Sequence, residues 1–169
     1  MYELKSIQPI LHYTNKEGRT YSRISISHKS MVEDLRKLGI VKRKSLILKF
    51  PNFIEENLIR HFIRGYFDGD GSICYGKTTK NVHFSIVSTK KFLDKIKCIL
   101  SKNIDLYSGI YDIKSLKNKS NKSTKRLAIT GWNKVNIIMT WLYKDSNIFL
   151  DRKHRKFREI TKLKSAQSA

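Results

Sequence analysis

The sequence predicts an α+β fold in which short strands alternate with amphipathic helices. Three observations lead there: a strand–strand–helix unit present twice, a third strand–helix unit between the copies, and one helix without an upstream counterpart.

The repeat is read position by position. YELKSI at 2–7 matches YDIKSL at 111–116, and RISIS at 23–27 matches RLAIT at 126–130. The apolar triplet Met31, Leu35, Leu38 then matches Val135, Met139, Leu142 at a nearly constant separation. Alternation places Ile24 and Ile26 inward, with Arg23, Ser25 and Ser27 outward. In the second copy Leu127 and Ile129 face inward, and Arg126, Ala128 and Thr130 face out. A capping box, Ser30 with Glu33, opens the first copy's helix, and Gly39 stops it. The middle unit runs from HFSIVS at 83–88 into Phe92, Ile96 and Ile99. Polar clusters at 14–20, 76–81 and 117–125 mark the turns.

The unmatched helix is expected at 53–68. Pro51-Asn52 breaks a preceding strand, Asn52 caps, and Glu55 and Glu56 suit the first turn. The organisation expected is therefore a partial first repeat (ββα) at 1–50, a complete repeat at 51–150 and a basic C-terminal helix or tail at 151–169. The first repeat lacks the front helix that the second possesses.

Composition restricts function. Thirty-five Lys+Arg against 14 Asp+Glu give +21, with a pI near 10.1. Charge spread through the whole chain points to a nucleic acid rather than a membrane surface, which more often meets one basic amphipathic helix. Apolar residues at 40% exclude a disordered chain. Cys74 and Cys98 have no zinc spacing and read as free thiols of a reducing compartment. No apolar run suits a bilayer, and MYELKSIQPI has no secretory or transit character. A cytoplasmic (prokaryotic or phage-encoded) or organellar-matrix location is expected.

The helix at 53–68 carries the chemistry. Ile59, Ile63 and Tyr66, flanked by Phe62 and Phe67, form the stripe that covers a sheet. Leu58, Phe62, Gly65 and Gly69 form a second strip, and its two glycines, four apart, allow another helix to approach closely. At its end stand Asp68-Gly69-Asp70-Gly71. A carboxylate at the negative end of a helix is disfavoured unless a cation binds there. Paired with an aspartate from a second helix, Asp70 would make an oxygen-rich Mg²⁺ site for phosphodiester hydrolysis. A calcium loop is excluded: with Asp68 and Asp70 as its third and fifth positions, the first and twelfth are Tyr66 and Lys77. The five histidines form no HNH-like group.

IRGYFDGDG at 63–71 resembles the LAGLIDADG motif at Gly65, Asp68, Gly69, Asp70 and Gly71, with Arg64 in place of a small residue on the side away from the glycines. FIRGYFDGDGSI at 62–73 and WLYKDSNIFLDRK at 141–153 are similar to members of the same family of homing endonucleases. The resemblance implies an αββαββα fold with an antiparallel, saddle-shaped sheet on double-stranded DNA. It also implies Mg²⁺-dependent double-strand cleavage of a long intron or intein site, leaving short 3′ overhangs. Metal ligands would be the Asp70 carboxylate and the Gly69 carbonyl, while Asp68 would orient backbone where two motif helices meet. Lys29, at a strand–helix junction, takes the place of a catalytic lysine. DNA contacts are expected from Lys5, Arg23, Ser25, Lys77, Lys80, His83, Lys114 and Arg126. The family uses two motif helices and this sequence holds one, so a second LAGLIDADG-bearing subunit, an N-terminal fragment or a homodimer is expected. The alternative is a non-catalytic LAGLIDADG protein, an intron maturase or regulator.

Overall fold

Strand β4 (Asn81–Thr89) sets the architecture, because its alternate residues Val82, Phe84 and Ile86 are wholly buried while those between are not. In the computed structural model, which describes residues 10–40, 47–113 and 124–168, β4 is central in a four-stranded antiparallel sheet. Its partners are β3 (Ser72–Gly76) on one side and β6 (Thr124–Thr130) on the other, with β5 (Gly109–Asp112) outside β6. Helices α2 (Ile59–Asp70), α3 (Lys90–Ile104) and α4 (Trp132–Tyr143) separate the hairpins, giving αββαββα. A last helix, α5 (Asp151–Ser168), packs against β3. The chain divides into two units, Met1–Lys42 and Arg43–Ala169.

The core of the second unit follows the expected periodicities. Phe92, Ile96 and Ile99 of α3, Val135, Met139 and Leu142 of α4, and Leu127 and Ile129 of β6 are all buried. Ile63 and Phe67 enter the same core from α2, Phe67 stacked on Phe84 at 4.6 Å between ring centroids. On the opposite sheet face, Cys74, His83 and Thr130 share one cross-strand row, and Ser72, Ser85, Ala128 and Gly109 the next.

The motif helix starts later than its composition implies. A single 3-10 turn, Glu56–Leu58, precedes α2, so neither Asn52 nor Pro51 borders it, and no strand runs up to Pro51. Glu56 is tied to α3 by Lys102 at 2.6 Å. The helix also ends later, at Asp70, with Gly71 as its C-cap.

In the first unit a two-stranded hairpin, β1 (Leu11–Thr14) with β2 (Thr20–Arg23), is followed by α1 (Lys29–Lys37). Ile24 and Ile26 follow β2 and are 56% and 37% exposed, contrary to the inward placement read from alternation. A two-stranded ribbon offers no second layer to bury them against, and none of the described residues 10–40 is buried. The helix cap also differs. His28 caps α1 by accepting from the Met31 amide at 3.3 Å, and Ser30 lies one residue inside the helix. Gly39, at φ +79°, follows the helix end as expected.

Arg64 faces away from the glycines, as expected, and is buried there. It is 8% exposed and donates to the Leu142 carbonyl at 3.2 Å and to Nδ1 of His61 at 2.6 Å. Leu142 lies in the last turn of α4, whose carbonyls lack intrahelical partners, so Arg64 caps that helix. Arg64→Met is expected to cost about 1.5–3 kcal/mol in denaturant unfolding, the range for a bond to a charged group. His61 must stay neutral to accept, and burial, Arg64 and Arg60 hold its pKa below the ordinary 6.5. A histidine so depressed adds stability that is present above 6.5 and lost as pH falls through its folded value. The wild-type melting temperature should therefore fall more steeply on acidification than that of His61→Gln.

Candidate metal-binding helix end and nucleic-acid face

The last turn of α2 is positioned by close contact at Gly71. Its amide donates to the Phe67 carbonyl at 2.7 Å, and a Cβ built there would lie 2.2 Å from the Phe67 ring. Phe67 is wholly buried and cannot withdraw, so only glycine allows the chain to leave the helix here and enter β3. Gly65 and Gly69 are different: each is exposed, with nothing within 4 Å of an added Cβ. Leu58, 49% exposed, continues that open strip. Phe62 does not; it turns against Phe50 at 5.1 Å and joins the edge of the core.

Asp68 and Asp70, two residues apart, have different surroundings. Asp68 accepts from the Tyr143 hydroxyl at 2.6 Å and from the Leu150 amide at 3.1 Å, so both its oxygens are engaged. It therefore orients backbone of its own chain, joining the end of α4 to the start of α5. Burial and the Asp68 carboxylate push the Tyr143 hydroxyl well above the phenol range, keeping it a donor. Asp70 is exposed at the helix terminus, and no described residue donates a hydrogen bond to its carboxylate. Its charge helps to raise the pKa of Tyr66, behind the larger effect of burial.

Lys153, on the first turn of α5, completes the surroundings of the helix end. It is 5% exposed, and its ammonium donates to the carbonyls of Phe67 and Gly71, each at 2.5 Å. It also lies 4.9 Å from the Phe67 ring centroid. The basic segment expected at 151–169 is helix α5, which buries Lys153 and Ile160, with Phe157 packed on the core. A signal was present: positions 153, 157 and 160 share one helical face, so the lysine occupies an apolar-face position.

The donor set suits half of a hard-cation site. Asp70 offers an unengaged carboxylate, and the Gly69 carbonyl is among the last four of the helix, which lack intrahelical partners. Among the described residues no three His, Cys, Asp or Glu side chains gather as a metal cluster. Mg²⁺ needs no such cluster, since it keeps waters and takes phosphate oxygens.

The expected DNA contacts divide by position. His83 and Arg126 are on the open sheet face, His83 within 3.1 Å of the Thr130 hydroxyl and Arg126 opposite Val87 and Tyr111. Lys77 and Lys80 are exposed in the β3–β4 hairpin, and Lys80 bears φ +52° with its carbonyl accepting from Lys164. Arg23, Ser25 and Lys29 belong to the first unit, where Arg23 and Lys29 are exposed and Ser25 is half-buried. Lys5 and Lys114 lie outside the described residues. No helix among the described residues is long and apolar enough to cross a membrane.

Residues 57–137 match the family described as LAGLIDADG-like domain. The chain is also 29% identical over 114 residues to a probable translation initiation factor IF-2 of Methanocaldococcus jannaschii, an alignment covering 63% of this chain and 10% of that protein. The chain thus spans about a tenth of the length of that relative. With αββαββα order, an antiparallel sheet and a motif helix ending in Asp-Gly-Asp-Gly, this chain carries a LAGLIDADG-like domain at residues 57–137.

Proposed function

We propose that the chain is one catalytic half of a homing endonuclease that cuts double-stranded DNA with Mg²⁺. The observation that carries this reading is Asp70: an exposed carboxylate to which no described residue donates a hydrogen bond, at the end of a helix whose glycine strip is open. Asp70 and the Gly69 carbonyl would hold the cation. When bound, the cation would supply a Lewis acid for the scissile phosphate and an activated water. A partner's motif helix would dock along Leu58, Gly65 and Gly69 and bring a second aspartate. His83, Arg126 and the lysines of the β3–β4 hairpin would hold the duplex. The similarity to one tenth of a much longer protein is compatible with a module carried within a host gene.

The test begins with duplexes selected from a random pool by binding to the full chain. Affinity should fall linearly in a log–log plot against salt, by about a thousandfold or more between 50 and 200 mM, as counterions are released. Addition of Mg²⁺ should then cut the selected duplex. A flat salt profile would remove the DNA reading. Salt-dependent binding without any cutting would favour the maturase or regulator alternative.

A further inference from the structure

The Lys153 ammonium bridges the Phe67 and Gly71 carbonyls, which bracket the Asp68-Gly69-Asp70 segment. A lysine so buried is desolvated, and this lowers its pKa; solvent could have satisfied helix-terminal carbonyls at less cost. What an exchangeable water would not do is tie both carbonyls to α5, as the Lys153 side chain does. The anchor is itself held from behind: the Leu150 amide donates to Asp68, and the Lys153 amide donates to the Leu150 carbonyl at 3.0 Å. Tyr143, Phe149 and His154 pack together beside it, with centroid separations of 4.4 to 5.9 Å. The motif turn is thus closed into a rigid loop by α5.

From this geometry we infer that Lys153 is a positioning residue for cation binding, setting where the Gly69 carbonyl and the Asp70 carboxylate point. The inference rests on Asp70 as metal ligand. Charge and position make opposite demands on the outcome. Removing a nearby positive charge by itself would strengthen binding of a divalent cation. Releasing the bracketed turn would weaken it, by about 10–100-fold where an outer-shell partner is lost. A loss of affinity therefore reports positioning.

The measurement is Mn²⁺ affinity, by electron paramagnetic resonance, of the full chain bound to a selected duplex. Wild type, Lys153→Met, Lys153→Arg, Asp70→Asn and Arg64→Met are compared, each with its melting temperature. Lys153→Met should bind Mn²⁺ at least about 10-fold more weakly. Lys153→Arg, a bulkier cation in the same buried position, should fall between it and wild type. Arg64→Met, which loosens the fold at another contact, should lower the melting temperature and leave Mn²⁺ affinity unchanged. Wild-type or tighter affinity in Lys153→Met overturns the proposal; if that variant does not fold, wild-type affinity in Lys153→Arg does so. Unchanged Mn²⁺ binding in Asp70→Asn would instead remove the metal reading itself.

Discussion

Asp70→Asn should lower Mg²⁺-dependent DNA cleavage by on the order of a thousandfold or more, while duplex affinity stays equal or rises. The substitution keeps the size of the side chain and removes its charge. Because no described residue bonds to the Asp70 carboxylate, nothing in the fold should register the change. Melting temperature should stay near the wild-type value or increase slightly, since a negative charge leaves the negative end of α2. Affinity rises for the same reason: a carboxylate beside a phosphate repels it when no cation lies between them. Asp68→Asn should behave in the opposite way. There the carboxylate accepts from Tyr143 and the Leu150 amide, so stability falls. Retained cleavage in Asp70→Asn would show that the cation, if any, is held elsewhere.

The second large effect separates glycines that look equivalent in the motif. Gly71→Ala should destabilise the fold by about 1–3 kcal/mol, because its Cβ would meet the immobile ring of Phe67 at 2.2 Å. Gly65→Ala meets nothing and should stabilise the helix by up to about 1 kcal/mol. Yet Gly65→Ala should reduce cleavage about a hundredfold, since a methyl on the docking strip displaces the partner helix and with it the second aspartate. Denaturant unfolding and cleavage, measured on the same preparations, distinguish the two cases. If Gly65→Ala cleaved like wild type, the open strip would not be the docking face.

Much of this architecture was legible because burial writes a period into sequence. The triplets Val135, Met139, Leu142 and Phe92, Ile96, Ile99 are core, as are Leu127 and Ile129. The motif helix was legible for a different reason: two glycines four apart are costly within a helix, and the structure leaves both exposed. Periodicity failed in the first unit, where Ile24 and Ile26 alternate correctly but are exposed. Alternation states which residues share a face; it does not supply the layer that covers the face. Helix boundaries also failed at Asn52 and Ser30, because capping residues compete locally and the winners here are a 3-10 turn and the His28 imidazole.

Arg64 and Lys153 were hard to read for a common reason, although the helical face shared by 153, 157 and 160 offered a signal for the lysine. A cation in a chain of +21 reads as surface charge, and each is buried by donating to backbone carbonyls at a helix end. Carbonyls carry no sequence signature, so such pairs leave no motif. They converge on α2: Arg64 ties its middle to the end of α4, and Lys153 ties its end to α5. Of the two, only Lys153 holds the turn that bears Asp70, while the glycine side of the helix stays open.

The most direct test of the central claim is linearisation of supercoiled plasmid carrying a selected duplex, in Mg²⁺ and in EDTA, with the mass of the protein–DNA complex determined in parallel. A catalytic half-site predicts linear product in Mg²⁺ alone, from a complex that contains two motif helices, whether from two copies or from a supplied partner. Cutting in EDTA, or a two-helix complex that binds the site and never cuts it in Mg²⁺, would contradict it.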